Sequence, residues 1–298
     1  MGAAINKIEY NNLEFHEKIG EGGFGFVHRV TFKKPYNGYT EAAAKTVHEV
    51  QEEEVKIMSK LHHPHIVPLL GCCQTGHVNT AIIVMEYAKN GSLHDYLSDK
   101  TNPLPYSLQQ KWIKESARAI EYLHENNFLH RDIKANNCLL FEDNILKLCD
   151  FGLAREIEHS QTTSSVKGTY RYMAPEILIG NEQGRGVFSK HADIYGYGML
   201  VLEILTRKPP FPDLEWQKVV FAVGMGSRPD IPADCPPGMA DTMRSCWEAD
   251  PKKRPTIQYI IHGMYMTTRF ELATLSIAWQ DFKNMTPSEF VSAHRHKY

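Results

Sequence analysis

The sequence has no apolar run approaching the roughly 18 residues that a membrane span needs. Its first ten residues, MGAAINKIEY, also lack the apolar core of an export signal. A myristoylation signal is missing too, because position 6 is Asn6 where Ser or Thr is required. Neither a membrane partner nor export is therefore expected. Cysteine is sparse, with six in 298 residues, two of them adjacent at Cys72 and Cys73 and no pairs at zinc-finger spacing. That excludes a disulfide framework and fits reduced thiols in a cytoplasmic setting. Excess charge of either sign is absent. The formal net charge of −2 supplies no global field that would recruit nucleic acid. Internal repeats and low-complexity tracts are lacking, which removes solenoids and long disordered linkers.

What remains is ordinary globular composition, 42% hydrophobic and 23% charged. The length suits two structural units or one bilobal unit. Up to Tyr87 the chain reads as short extended runs. FGFVHRVTF (24–32) and AIIVMEY (81–87) are rich in β-branched and aromatic residues, with turn formers such as Asn37-Gly38 between runs. One helix interrupts them, EVQEEEVKIMSKL, with Val50, Ile57, Met58 and Leu61 on about one face. After Asn90-Gly91 the texture turns helical. Trp112, Ile113, Ala117, Ile120 and Leu123 recur at helical spacing, and ADIYGYGMLVLEILTRK is apolar nearly all round, as a fully buried helix is. A small sheet-rich lobe followed by a larger helical one is the expected α+β architecture.

Chemistry concentrates in five segments. Gly20-Glu21-Gly22-Gly23-Phe24-Gly25-Phe26-Val27 fits G-x-G-x-x-G-x-V. Glycines there let a backbone approach phosphates where any side chain would collide. A dinucleotide fold needs a helix directly after such glycines, whereas FVHRVTF continues as strand. Alone the run is weak, since many glycine-rich hairpins bind nothing. Lys45 closes the strand-like run Glu41-Ala42-Ala43-Ala44, and a helix with Glu52, Glu53 and Glu54 begins soon after. A lysine at a strand end is usually just solvated; beside this acidic helix it becomes a candidate for holding phosphates with a carboxylate partner. The register of Ile57 and Met58 selects Glu54, with Glu53, about 100° away around the helix, the competing assignment. His130-Arg131-Asp132-Ile133-Lys134-Ala135-Asn136-Asn137 fits H-R-D-x-x-x-x-N; Asp150-Phe151-Gly152 and then Ala174-Pro175-Glu176 follow.

In this order and at these intervals the segments resemble the eukaryotic protein kinases, over about Leu13 to Met266. The resemblance implies a bilobal kinase fold and transfer of the γ-phosphate of ATP, with Mg²⁺, to protein substrates. It implies a catalytic domain 13–266, which leaves an N-terminal extension 1–12 and a tail 267–298. The tail has no kinase counterpart and is read as helical from its own apolar spacing. The domain divides into a small lobe 13–85, a hinge 86–90 and a large lobe 91–266. Asp132 would align the substrate hydroxyl and Lys134 reach the transferred phosphate, with Lys45 and Asn137 completing the catalytic set. Asn137 and Asp150 would offer hard oxygen ligands to Mg²⁺. Nucleotide would be enclosed by Gly20 to Gly25 with Val27, by Ala43, Lys45 and Glu54, by Met85 as gatekeeper, by the hinge residues Glu86, Tyr87 and Ala88, and by Leu139. Phe151, His130, Met58 and Leu69 would stack into a spine on Asp193. Arg254 would pair with Glu176 in a buried, structural ion pair. For Phe151, Met58 and Leu69 plain core packing predicts the same placement.

Lys134 two residues after Asp132, and Gly168-Thr169-x-x-Tyr172-Met173, resemble the Ser/Thr form. Leu70-Gly71-Cys72-Cys73, Met85 to Leu93 and Cys246-Trp247-Glu248-Ala249-Asp250-Pro251 resemble tyrosine kinases. Together they describe the tyrosine-kinase-like group. The short link from Lys45 to Glu54 is similar to that of mixed-lineage and ZAK-type MAP kinase kinase kinases. A downstream kinase as substrate is implied, and an upstream kinase or trans-autophosphorylation for activation through Ser160, Thr162, Thr163, Ser164 and Ser165, with Arg131 as phosphate receptor. The oligomeric state is left open. A pseudokinase scaffold and a dual-specificity or tyrosine kinase are the competing readings.

Four features stand apart. Ala42 and Ala44 replace the larger residues of the family's V-A-I-K, so this strand is expected to pack loosely. His62-His63-Pro64-His65 looks like a metal cluster but falls in a loop after the helix with no acidic or thiol ligand near in sequence. Cys149 is read as a small buried hydrophobe at the back of the nucleotide site and a target for electrophiles. In the tail, Leu272, Leu275, Trp279 and Phe282 share a helical face and Thr286-Pro287-Ser288-Glu289 resembles a capping box; packing on the large lobe is favoured over docking or dimerisation.

Overall fold

A computed structural model describes residues 6–22, 25–33, 38–48, 52–74, 80–157, 170–180 and 186–270. Five strands, β1 (Leu13–Gly22), β2 (Gly25–Lys33), β3 (Tyr39–His48), β4 (Leu69–Gln74) and β5 (Thr80–Glu86), form an antiparallel sheet in the order β1-β2-β3-β5-β4. Side chains alternate between its faces. Ala43, Ile83 and Met85 point to the main core, while Val30, Phe32, Ala42, Ala44, Ile82 and Val84 form a second buried cluster on the other face.

That outer cluster is closed by the chain ahead of β1. Ile8 and Leu13 belong to it, and Lys7 pairs in parallel with Cys72 of β4. Ala42 and Ala44, where loose packing is expected, are both fully buried and share that cluster with Ile8 and Leu13.

Helix α1 (Glu52–Lys60) carries Glu54, Ile57 and Met58 inward. The C-terminal lobe holds α2 (Leu93–Ser98), α3 (Tyr106–Glu125), α4 (Pro175–Leu178), α5 (Lys190–Thr206), α6 (Trp216–Gly224), α7 (Pro237–Cys246) and α8 (Ile257–Phe270). Ser92 caps α2 by accepting from the Asp95 amide. The apolar stripe read from the sequence, Trp112, Ile113, Ala117, Ile120 and Leu123, is the buried face of α3. Helix α5 is buried on all sides from Asp193 to Ile204 and stops at Arg207, whose left-handed φ of 57° cannot continue a right-handed helix. Each fully buried Leu, Ile or Met there contributes about 1.5–3 kcal/mol, which makes α5 the lobe's anchor. Two short antiparallel pairs follow α3 in the chain, β6 (Phe128–Leu129) with β9 (Arg155–Glu156) and, between them in sequence, β7 (Cys138–Leu140) with β8 (Leu146–Leu148). Helix α8 continues past Met266 to Phe270; the apolar face and capping box expected beyond it lie outside the described residues. No helix among the described residues is long and apolar enough to cross a membrane.

Candidate active site

The two lobes enclose a cavity of about 830 Å³, within the range of small-molecule sites. Strand β3 delivers Lys45 into it and α1 delivers Glu54. Lys45 Nζ donates to Glu54 Oε1 at 2.8 Å and to Asp150 Oδ1 at 2.9 Å. This settles the choice between the adjacent glutamates for Glu54, which is 2% exposed. Burial opposes the charge on Lys45, but Asp150 and Glu54 outweigh it and raise the ammonium's pKa. Burial also favours protonated Asp150, yet Lys45 prevails and holds that carboxyl below its ordinary value. Glu54 is shifted upward, since burial exceeds the attraction of Lys45.

The glycine-rich turn forms the roof, with Gly20, Glu21, Gly25 and Val27 lining the cavity. Gly25 has φ +141°, and a Cβ there would lie 1.8 Å from the Thr46 carbonyl oxygen, so only glycine fits. Gly22 pairs with Gly25 across the turn; Gly23 and Phe24 lie outside the described residues. Ala43, Met85, Tyr87, Ala88 and Leu139 line the apolar end. The Glu86 side chain bonds Lys147 of β8, tying the hinge to the large lobe.

Asp132, Lys134 and Asn137 reach the same cavity from the segment after β6. Lys134 Nζ donates to Asp132 Oδ2 at 2.6 Å. Asn137 Nδ2 donates to the Asp132 backbone oxygen at 2.8 Å and to its Oδ2 at 2.9 Å. Both amide hydrogens are thus spent on Asp132, which leaves the Asn137 amide oxygen as a ligand. With the Asp150 carboxylate it makes an all-oxygen donor pair that suits Mg²⁺. The residues present fit a metal-bound triphosphate: hard oxygen donors at the floor, a cation at its side and a glycine backbone above.

The loops are held by bonds that no motif announces. His130 stacks edge-on against Phe151 with ring centroids 5.2 Å apart. Its Nε2 donates to the Cys149 carbonyl at 3.0 Å, and its Nδ1 accepts from the Asp132 amide at 3.3 Å. One neutral imidazole thereby links the two catalytic segments. The Asp193 carboxylate accepts from the amides of His130 and Arg131 at 3.0 and 2.9 Å and from His124 Nε2 at 3.0 Å, as the spine assignment requires; Met58 and Phe151 lie buried in the same core, with Leu69 packed against it. Arg131 and Asp150 adopt φ of 71° and 63°, a region non-glycine residues enter at a cost of order 1–3 kcal/mol. Arg254 and Glu176 form a two-pronged pair at 2.7 and 2.8 Å, with the arginine side chain fully buried.

Three further contacts, outside the cavity lining, join elements beyond the expected set. Tyr172 donates to buried Glu203, whose other oxygen faces His94 at 3.4 Å. Lys60 at the end of α1 bonds Glu156 of β9. Tyr170 stacks on Trp216 with centroids 4.8 Å apart. These partners are far apart in sequence and leave no local pattern. Two expectations fare differently. Cys149 lines the cavity, but burial and then Asp150 push its thiol well up; thiolate is scarce, and a target for electrophiles is not supported. The histidine cluster is engaged in packing: His63 stacks on Tyr122 at 4.9 Å, His65 Nδ1 bonds the Leu146 carbonyl, and burial pushes His63 down to about 4. The hydroxyl cluster 160–165 and the Gly168-Thr169 pair lie outside the described residues.

Comparison with known proteins agrees with this geometry. The family model for protein tyrosine and serine/threonine kinases matches residues 13–264. A mitogen-activated protein kinase kinase kinase of Drosophila melanogaster is 34% identical over 280 residues, covering 86% of this chain and 23% of the relative. The dual specificity protein kinase shkC of Dictyostelium discoideum is 35% identical over 272 residues, covering 87% and 52%. Human mitogen-activated protein kinase kinase kinase 7 is 30% identical over 275 residues, covering 89% and 43%. The chain thus spans a quarter to a half of the length of these relatives. A family match over nearly all the described residues, with relatives at 30–35% identity, leads to one conclusion: the chain belongs to the protein tyrosine and serine/threonine kinase family.

Proposed function

We propose that this chain is an ATP- and Mg²⁺-dependent kinase that phosphorylates Ser and Thr of proteins, acting as a MAP kinase kinase kinase in the cytoplasm. The observation that carries the reading is the Asp132 carboxylate, gripped by Lys134 and Asn137 in the cavity that also holds the Lys45–Glu54 pair. Bound Mg²⁺ neutralises charge on the phosphates. The protein aligns: Asp132 orients the hydroxyl and accepts its proton, Lys134 faces the transferred group, and Lys45 holds the remaining phosphates. Lys134 favours Ser/Thr acceptors by its resemblance to that form of the loop. The dual-specificity name of one relative supports the alternative. Phosphoamino-acid analysis of a peptide library treated with the chain separates them: phosphoserine and phosphothreonine alone are expected, and phosphotyrosine overturns the assignment.

Activation is proposed to follow phosphorylation of the hydroxyl cluster 160–165. Arg131 stacks 3.7 Å over Phe188, and burial followed by the nearby Arg155 lowers its pKa to about 10. Two arginines sharing a buried corner favour an incoming phosphate. Replacing all five hydroxyl residues with Ala is expected to abolish activation; undiminished activity refutes it. The substrate is proposed to be a downstream kinase, on the relatives' names.

A further inference from the structure

A segment ahead of the sheet, outside every motif, is joined by hydrogen bonds to the row of residues that carries Lys45. The Ile8 amide donates to the Cys72 carbonyl at 2.8 Å, the Cys72 amide donates to the Asn6 carbonyl at 2.9 Å, and Asn6 Nδ2 donates to the Leu70 carbonyl at 3.2 Å. The segment thus forms a parallel bridge along β4, an edge whose amides and carbonyls there would otherwise lack a ladder partner. The cross-strand register continues from there. Lys7 stands beside Cys72, Cys72 opposite Ile83, Ile83 opposite Lys45, Lys45 opposite Val27 and Val27 opposite Gly20. One row runs from the strap to the phosphate-facing lysine and the glycine turn.

The seat is shaped for it on two sides. A Cβ on Gly71 would fall 2.5 Å from the Asn6 carbonyl oxygen and 2.9 Å from Ile8 Cδ1, so no larger residue admits the strap. Ala42 and Ala44, fully buried, lie in one cluster with Ile8 and Leu13. Small residues on the sheet and a bulky one on the strap are two halves of one packing solution.

We propose that residues 6–13 are a working part of the catalytic unit: a strap that positions the Lys45 row, with Ile8 as its positioning residue and Gly71, Ala42 and Ala44 as its seat. The proposal rests on the nucleotide-binding reading for its kinetic consequence alone. Unseating the strap loosens β4 and β5 and through them β3, while Asp132, Lys134 and Asn137 in the other lobe keep their places. Nucleotide affinity should suffer and turnover at saturating ATP should not.

The test uses the full chain. Ile8→Asp and Gly71→Val are each expected to lower Tm by about 2–4 °C or more. Well below Tm they should raise KM for ATP by about 2–30-fold, the span of couplings carried by packed elements, with kcat changed much less. Reciprocal filling gives the second arm. Ala42→Val with Ala44→Ile should lower Tm in the native background, where the strap already fills the space, and raise it in an Ile8→Gly background, where the space is vacant. Unchanged KM for ATP in both strap variants, or equal effects of the filling pair in both backgrounds, overturns the proposal. Should the chain bind no ATP, the fault lies in the proposed function, and the reversal of sign in Tm alone decides the strap.

Discussion

Lys45 stands between two carboxylates, and neither bond is dispensable. Glu54 fixes where the ammonium stands in the free enzyme, and Asp150 shares it from the opposite wall. Lys45→Met is expected to lower kcat/KM for ATP by about 10²–10³, the usual loss when a preorganised charge donor is removed, while the fold persists; steady-state kinetics checks it. Asp193 offers a pH test. Burial alone would raise its pKa, but hydrogen bonds from His124 and from the Arg131 amide outweigh burial and hold it below the ordinary 3.8. A depressed carboxyl contributes stability that is present above the unfolded value and lost as pH falls through the folded one. Asp193→Asn is therefore expected to cost about 2–3 kcal/mol near neutrality, the worth of hydrogen bonds to a buried charge. The difference should shrink below pH 3.8, as followed by urea denaturation at a series of pH values. A difference that grows in acid contradicts the assignment.

Among the elements, what the sequence made legible was what repeats or what chemistry demands. The stripe of α3 and the all-round apolarity of α5 are periodic, and they came out where the pattern placed them. Lys45, Asp132, Asn137 and Asp150 were legible because phosphate chemistry restricts residue types and intervals. The strap was not. Two of its bonds to β4 are backbone bonds across more than sixty residues, which leave no trace in side-chain pattern. Ala42 and Ala44 read as missing bulk until the segment that supplies it was in place. The Lys60–Glu156 and Tyr172–Glu203 ties were hidden because their partners lie 96 and 31 residues apart, and only the fold selects the pair. Arg254 belongs at this scale, since it pins α4 to the loop before α8 through Glu176 and the carbonyls of His191 and Glu248. Arg254→Met should cost about 3–5 kcal/mol by stranding Glu176, read as a lower denaturation midpoint. A loss under about 1 kcal/mol would mean the pair behaves as a surface one.

For the whole molecule, two lobes share one continuous hydrophobic core and meet at a cavity to which each contributes half of the chemistry. The small lobe brings the glycine turn, Lys45 and Glu54; the large lobe brings Asp132, Lys134, Asn137 and Asp150. The central claim is that these halves act together on one nucleotide and one acceptor hydroxyl. Transfer of labelled γ-phosphate from Mg²⁺-ATP to a generic protein acceptor, compared between the native chain and Asp132→Asn with nucleotide binding measured in parallel, tests it most directly. The account predicts transfer by the native chain, a fall of at least about 10²-fold in Asp132→Asn, and nearly equal ATP affinity in both. Equal transfer by the two proteins, or no ATP binding by folded, phosphorylated native chain, would contradict it.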